Sequence, residues 1–356
     1  MKPSHPRSVM RRAVSSFALV AILTGPNAVA ADSLAPDDPR LTPARVTSAV
    51  QGGFVHVFID GFIHKSTVEA FARTVTGDNR EFGIVYFNSA GGDLSAAEEL
   101  GRLIRGKGFA TQIGRLADDQ LHISKGVCES ACPVAFVGGK FRLLDTDTGK
   151  LGVHRFYLAK QGRWAADNKV LFTAERDLLR YFREMGISDE FYELMMRTPA
   201  DRIQEVGKRA SYDWKLGTGN EYSTWDLTEE GKLVGLGETS TGGFALTLDC
   251  SAEAAQFNAK FKPWFPAGAL LNYDTHSITV NGAKYPVAAV QASFDQASGF
   301  ISFTTKIDAK TSQALQSADR IGYSLGYEQA PGEYTRSLDL NDRKLVSILW
   351  SRCQTK

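Results

Sequence analysis

Residues 83–87 read Gly-Ile-Val-Tyr-Phe, a short run with no polar face. Such a run fits a strand covered on both sides, as in a parallel sheet layered with helices. The flanking residues agree. Residues 88–92 form a turn, after which Leu94, Ala97, Leu100 and Ile104 fall on one helix face, stopped by Gly106 and Gly108. Residues 54–63 alternate as a strand ending on Gly61, and residues 67–75 carry apolar side chains at helical spacing. Further along, 109–113, 141–144 and 151–153 read as strands, 171–185 and 189–196 as amphipathic helices, and Ser130 as the start of another helix. Strands alternating with helices predict βαβ units on a largely parallel sheet, an α/β domain over residues 49–240.

The pattern changes at Gly242-Gly243. From there residues 244–248, 277–280, 287–294, 300–307 and 320–325 mostly alternate, Asn281-Gly282 is a hairpin signal, and 309–318 and 342–350 are helix candidates. Residues 241–356 are therefore predicted to be a small α+β domain. A chain of 356 residues with 43% hydrophobic and 23% charged content has material for two such cores. The net charge of +1 supplies no bulk field toward nucleic acid or an anionic membrane.

The N-terminus reads as an address. Lys2, Arg7, Arg11 and Arg12 form a positive head, residues 13–23 a short apolar run, and Ala28-Val29-Ala30 a small-x-small cleavage pattern. Residues 1–30 are predicted to be a signal peptide, too short in its apolar part for stable membrane insertion. The Arg11-Arg12 pair leaves both the general secretory and the twin-arginine route open. Residues 31–48, rich in Pro and Asp, read as a linker. Export to the periplasm or beyond permits disulfides. The four cysteines, Cys128, Cys132, Cys250 and Cys353, fall into two groups that fit two bridges, and none belongs to a zinc-type cluster. A Cys250–Cys353 bridge closes about 100 residues and contributes about 4–5 kcal/mol in the chain-entropy model. Cys128 and Cys132 can be bridged if Cys128 lies in the loop before the helix, which fixes the turn between them.

Three segments carry chemistry. Asn88-Ser89-Ala90-Gly91-Gly92 lies between a strand and a helix, and its two glycines permit positive φ and uncovered N–H groups. Cys128-Glu129-Ser130-Ala131-Cys132 sets a serine among small residues, where it can be a helix cap or a nucleophile. Gly152-Val153-His154 ends a strand on the residue type that most often serves as a base for serine. His56, His64, His122 and His276 are read as structural.

Taken together, these segments resemble the proteolytic subunit of the Clp protease and its crotonase-fold relatives, over about residues 54–240. Gly61-Phe62-Ile63 matches that family's Gly-x-Ile element. Asn88 to Gly92 match its Asn-Ser-Pro-Gly-Gly turn, with Ala90 in place of the proline. Ser130-Ala131 and the strand ending in His154 match its nucleophile and base. Leu227-Thr228-Glu229-Glu230 followed by Gly235-Leu236 resembles its closing helix and Gly-Leu pair. The resemblance implies a ββα spiral domain, Ser130 as nucleophile, His154 as base, and the Gly92 and Ala131 amides as an oxyanion hole. It places a third, acidic member after the two helices, where Asp201 stands at the right distance and Asp213 and Asp226 are alternatives. It further implies a serine peptidase without cofactor or metal, acting on peptides or unfolded chains, and a homo-oligomer built through its helices. The competing reading is a non-catalytic binding module of the cell envelope. Acyl-CoA chemistry conflicts with export. A Ser–Lys dyad through Lys125 or Lys140 is disfavoured by His154.

Overall fold

The computed structural model describes residues 42–51, 53–76, 82–118, 121–144, 149–156, 159–160, 163–164, 168–219, 221–250 and 255–353. The signal-peptide reading and most of the linker lie outside these residues. The linker does not extend to residue 48, because strand β1 (Arg45–Gln51) already pairs antiparallel with β2 (Phe54–Asp60). β1 is a mostly exposed edge strand, so its sequence carries little apolar signal.

The first unit alternates as the sequence requires. Helix α1 (Lys65–Thr76) follows β2, and the apolar run becomes β3 (Phe82–Asn88), whose five central residues are all buried. Helix α2 (Leu94–Lys107) is capped by Asp93, whose side chain accepts from the Ala96 N–H at 2.7 Å, and ends on Gly108 at φ 70°. Strand β4 (Ala110–Ile113) is followed by a two-residue ribbon, β5 (Arg115–Leu116) and β6 (Ile123–Ser124). Next come β7 (Gly126–Glu129), the short helix α3 (Cys132–Phe136), β8 (Arg142–Leu143) and β9 (Gly149–Val153). A second ribbon, β10 (Ala159–Lys160) with β11 (Arg163–Trp164), precedes helices α4 (Asn168–Glu184) and α5 (Asp189–Arg197), then β12 (Gln204–Glu205) and α6 (Lys208–Asp213).

Two sheets result. One has the order β1-β2-β3-β4-β8, parallel from β2 onward; the other is β12-β9-β7, with β7 and β9 parallel. Helices α1 and α2 close one face of the larger sheet through Val68, Phe71, Ala97, Leu100 and Ile104, in one core with Val57, Val85 and Phe87. Phe54, Phe58, Ile84 and Tyr86 project from its other face, where Leu116, Leu121, Ile123 and Trp264 pack against their cluster. This covering on both sides is what the all-apolar β3 demands.

Arg142 ties the ends of these elements together. Its guanidinium is buried and donates to the carbonyls of Val137, Gly139, Met185, Lys215 and Leu216. Burial lowers its pKa to about 10, so it still carries its charge at neutral pH.

The second unit starts earlier than the composition change at Gly242 suggests. β13 (Glu221–Leu227) and β14 (Leu233–Thr239) form a hairpin that pairs through β14 with β15 (Gly242–Asp249). The segment resembling a closing helix, Leu227 to Leu236, is thus strand, turn and strand. The boundary falls between Leu216, in the first core, and Trp225, in the second, rather than at 240. β16 (Gln256–Pro263) continues the sheet, and a 3-10 helix (Ala267–Asn272) leads to β17 (Thr275–Val280), β18 (Ala283–Pro286), β19 (Val290–Asp295) and β20 (Phe300–Lys306). Then follow α7 (Ala309–Leu315), β21 (Arg320–Gly326), β22 (Glu333–Asp339) and α8 (Lys344–Cys353). The strands make two antiparallel sheets, β13-β14-β15-β16-β20-β19 and β18-β17-β21-β22, so strands dominate this α+β unit. Its core includes Phe257, Phe261, Phe303 and Tyr323. The Cys250–Cys353 disulfide joins the end of β15 to the end of α8.

Candidate active site

Strand β7 delivers Ser130 and strand β9 delivers His154. The two strands run parallel in register, with Cys128 opposite Leu151 and Glu129 opposite Gly152, so both residues emerge at the same edge of the small sheet. Ser130 Oγ lies 2.7 Å from His154 Nε2, the length of a good hydrogen bond.

Ser130 is not at a helix start. It occupies a turn between β7 and α3, with φ +59° in the left-handed region. A non-glycine residue held there costs about 1–3 kcal/mol and needs surrounding structure to fix it. Three constraints are visible. The Ser130 N–H donates to the Gly152 carbonyl at 3.1 Å, and the Glu129 N–H donates to the Ser89 carbonyl at 3.0 Å. The third is the Cys128–Cys132 disulfide, whose Cα atoms stand 5.1 Å apart with the serine between them and both cysteines fully buried. Cys128 is the last but one residue of β7 and Cys132 the first of α3, which removes the helical spacing that would separate their Cβ atoms.

The glycine turn packs directly on this serine. Gly91 has φ +123° and Gly92 φ +140°. A Cβ on Gly91 would stand 2.6 Å from Ser130 Cβ and 3.0 Å from its Oγ, and one on Gly92 would stand 2.1 Å from the Ile63 carbonyl oxygen. The buried Ser89 holds the turn: its Oγ accepts from the Gly91 N–H at 3.2 Å, and Ile63 N–H donates to the Gly91 carbonyl at 2.8 Å. Among the described residues neither the Gly92 nor the Ala131 N–H donates a main-chain hydrogen bond. Both residues line one cleft of about 970 Å³ together with Ser130 and His154. Replacing Gly91 by alanine is expected to lower the rate of active-site labelling about a hundredfold, since an ångström of misplacement at a reacting centre costs that much. Full-rate labelling of a folded Gly91→Ala protein would count against this packing.

His154 is 8% exposed, and burial lowers its pKa below the ordinary 6.5; a hydrogen bond to the Arg155 backbone and the charge of Glu129 oppose that shift. The Arg155 N–H in turn donates to the Thr198 carbonyl at 2.9 Å, tying the histidine loop to the end of α5. The three aspartates considered for the acid are all exposed. Asp201 is exposed on the turn after α5 and makes no hydrogen bond or ion pair among the described residues. Asp213 is exposed on α6 facing Arg209 at 3.7 Å, and Asp226 is exposed on β13, accepting from the Leu227 N–H at 2.8 Å. None of them is hydrogen-bonded to His154. Lys140 pairs with Glu238 at 2.5 Å, and Lys125 is exposed; neither lines the cleft.

His56 and His276 meet the hydroxyls of Tyr86 and Tyr323, and His122 meets Asp118, as structural histidines do. His64 differs, because it lines the cleft with Phe62, Leu94, Phe156 and Met195. Sequence reasoning also missed Ser89 and Glu129, though both stand inside segments already singled out. Among the described residues no cluster of His, Cys, Asp or Glu could hold a metal ion, and no helix is long and apolar enough to cross a membrane.

No family profile matches the chain, and no curated protein matches it. Solved structures do. The 1510-N membrane-bound stomatin-specific protease, as a mutant, is 17% identical with a TM-score of 0.35, over 46% of this chain and 76% of that one. A mutant of the same protease in complex with a substrate peptide is 16% identical with a TM-score of 0.34, over 46% and 72%. ClpP1 from Listeria monocytogenes is 15% identical with a TM-score of 0.32, over 46% and 88%.

Proposed function

We propose that this chain is an exported ClpP-like serine hydrolase that cleaves peptides through Ser130 and His154. The observation that carries the reading is the 2.7 Å contact between Ser130 Oγ and His154 Nε2 at the wall of a cleft. His154 accepts the Ser130 proton, and Oγ attacks the acyl carbon. The Gly92 and Ala131 amides receive the oxyanion, each donor contributing roughly 3–4 kcal/mol to the transition state. His154 then passes its proton to the leaving amine, and a water releases the acyl group by the reverse steps. The N-terminal address and the two disulfides support export, and the open cleft supports short or already unfolded chains as substrates. A homo-oligomer built through the helices goes with this reading.

The test is a fluorophosphonate probe with a peptide library. Labelled protein that digests peptides supports the hydrolase. Folded protein that never takes up the probe is instead a ClpP-fold binding module, the reading favoured by the absence of a hydrogen bond between His154 and any of the three aspartates. The pH profile adds a second check. The reaction needs a neutral imidazole, and burial holds the His154 pKa below 6.5. The midpoint of the acid limb, where His154 protonates, should therefore fall below pH 6.5. An acid limb centred above 6.5 contradicts a buried base.

A further inference from the structure

Taking the Ser130–His154 reading as its basis, we propose that Glu129 is a positioning residue of the reaction, the fixed negative charge that steadies the His154 imidazolium while it holds the serine proton. The placement follows from register. Glu129 on β7 is directly opposite Gly152 on β9, and directly paired residues project to one face of a sheet. His154 stands two residues beyond Gly152, directly after the end of β9. Gly152 offers no side chain there, and a Cβ on it would stand 2.4 Å from Ile203 Cγ2 and 3.3 Å from Glu129 Cγ. The acid and the base are thus diagonal neighbours across a bare glycine. The charge of Glu129 favours the protonated ring, opposing burial.

The other charged groups around His154 are engaged or turned away. On the cleft wall Asp93 caps α2, Glu98 pairs with Arg102, and Asp177 pairs with Arg176 and Arg180, while Lys169 and His64 are not anionic. Across β9 from Glu129, Glu205 on β12 also faces Gly152, but it is exposed and meets Lys150 at 3.6 Å. Asp201 is exposed after α5. Glu129 is partly buried and has no ion pair among the described residues.

The test follows the His154 ring by NMR across pH, alongside the rate of fluorophosphonate inactivation, in the full chain. Glu129→Gln should move the ring's titration to lower pH and slow inactivation near pH 7 roughly tenfold. Glu129→Asp should restore part of both. Glu205→Gln, which removes an equal charge from the same sheet face, should leave the midpoint in place. An unmoved midpoint in Glu129→Gln, or one that moves instead in Asp201→Asn, overturns the proposal. The titration needs no turnover, so a wild-type chain inert to the probe would sink the hydrolase while leaving this charge pairing to be judged on the NMR result.

Discussion

Ser130→Ala should abolish fluorophosphonate labelling and lower peptide hydrolysis by a factor on the order of 10⁴ to 10⁶, with the fold intact. That is the scale on which removal of a nucleophile acts when nucleophile and base work as a unit. The same interdependence means that His154→Ala should cost nearly as much, and that the double variant should cost little more than either alone. Stability should hardly change, because alanine keeps the same turn at φ +59° and only the one hydrogen bond to His154 is lost. Circular dichroism and thermal unfolding supply that control. Undiminished hydrolysis in Ser130→Ala would remove the serine from the chemistry altogether.

Opening the Cys128–Cys132 bridge should be the next largest loss. In the chain-entropy model so short a loop contributes about 2 kcal/mol to stability, which a domain of this size can spare. The effect on reaction should be larger, about a hundredfold, because the bridge holds the residues on either side of a serine whose φ is +59°. Cys128→Ala with Cys132→Ala is the cleaner experiment, since both sulfurs are fully buried and reductants reach them only through opening. Labelling rate and melting temperature measured together separate the two effects. Wild-type labelling by the double variant would mean that the Ser130-to-Gly152 and Glu129-to-Ser89 backbone bonds hold the turn unaided.

What the sequence disclosed follows from how each signal is encoded. β3 was legible because every residue in its middle must be apolar, and the strand before His154 because it is short and apolar; β7 before Ser130 was not, and the serine was read as a helix start. Nor were β13 and β14 legible. The inward positions of β14 include Gly235 and Gly237, which lie against Trp225, Phe244 and Leu338, so the apolar alternation that marks a strand is missing. A short match at Gly235-Leu236 then reads as something else. Asp201 was placed by its distance along the chain, which does not say where a side chain points. Glu129 was visible in the nucleophile segment, but its relation to His154 depends on the pairing of β7 with β9, a long-range fact that no local pattern carries.

The bridge around Ser130 also bears on where the protein can work. On the proposed export route the chain is made among reducing thiols, and its two sulfurs stay apart until it has crossed. On that route the serine would sit on an unbridged turn until then. Closure of the bridge after crossing would then fix the backbone on either side of the serine.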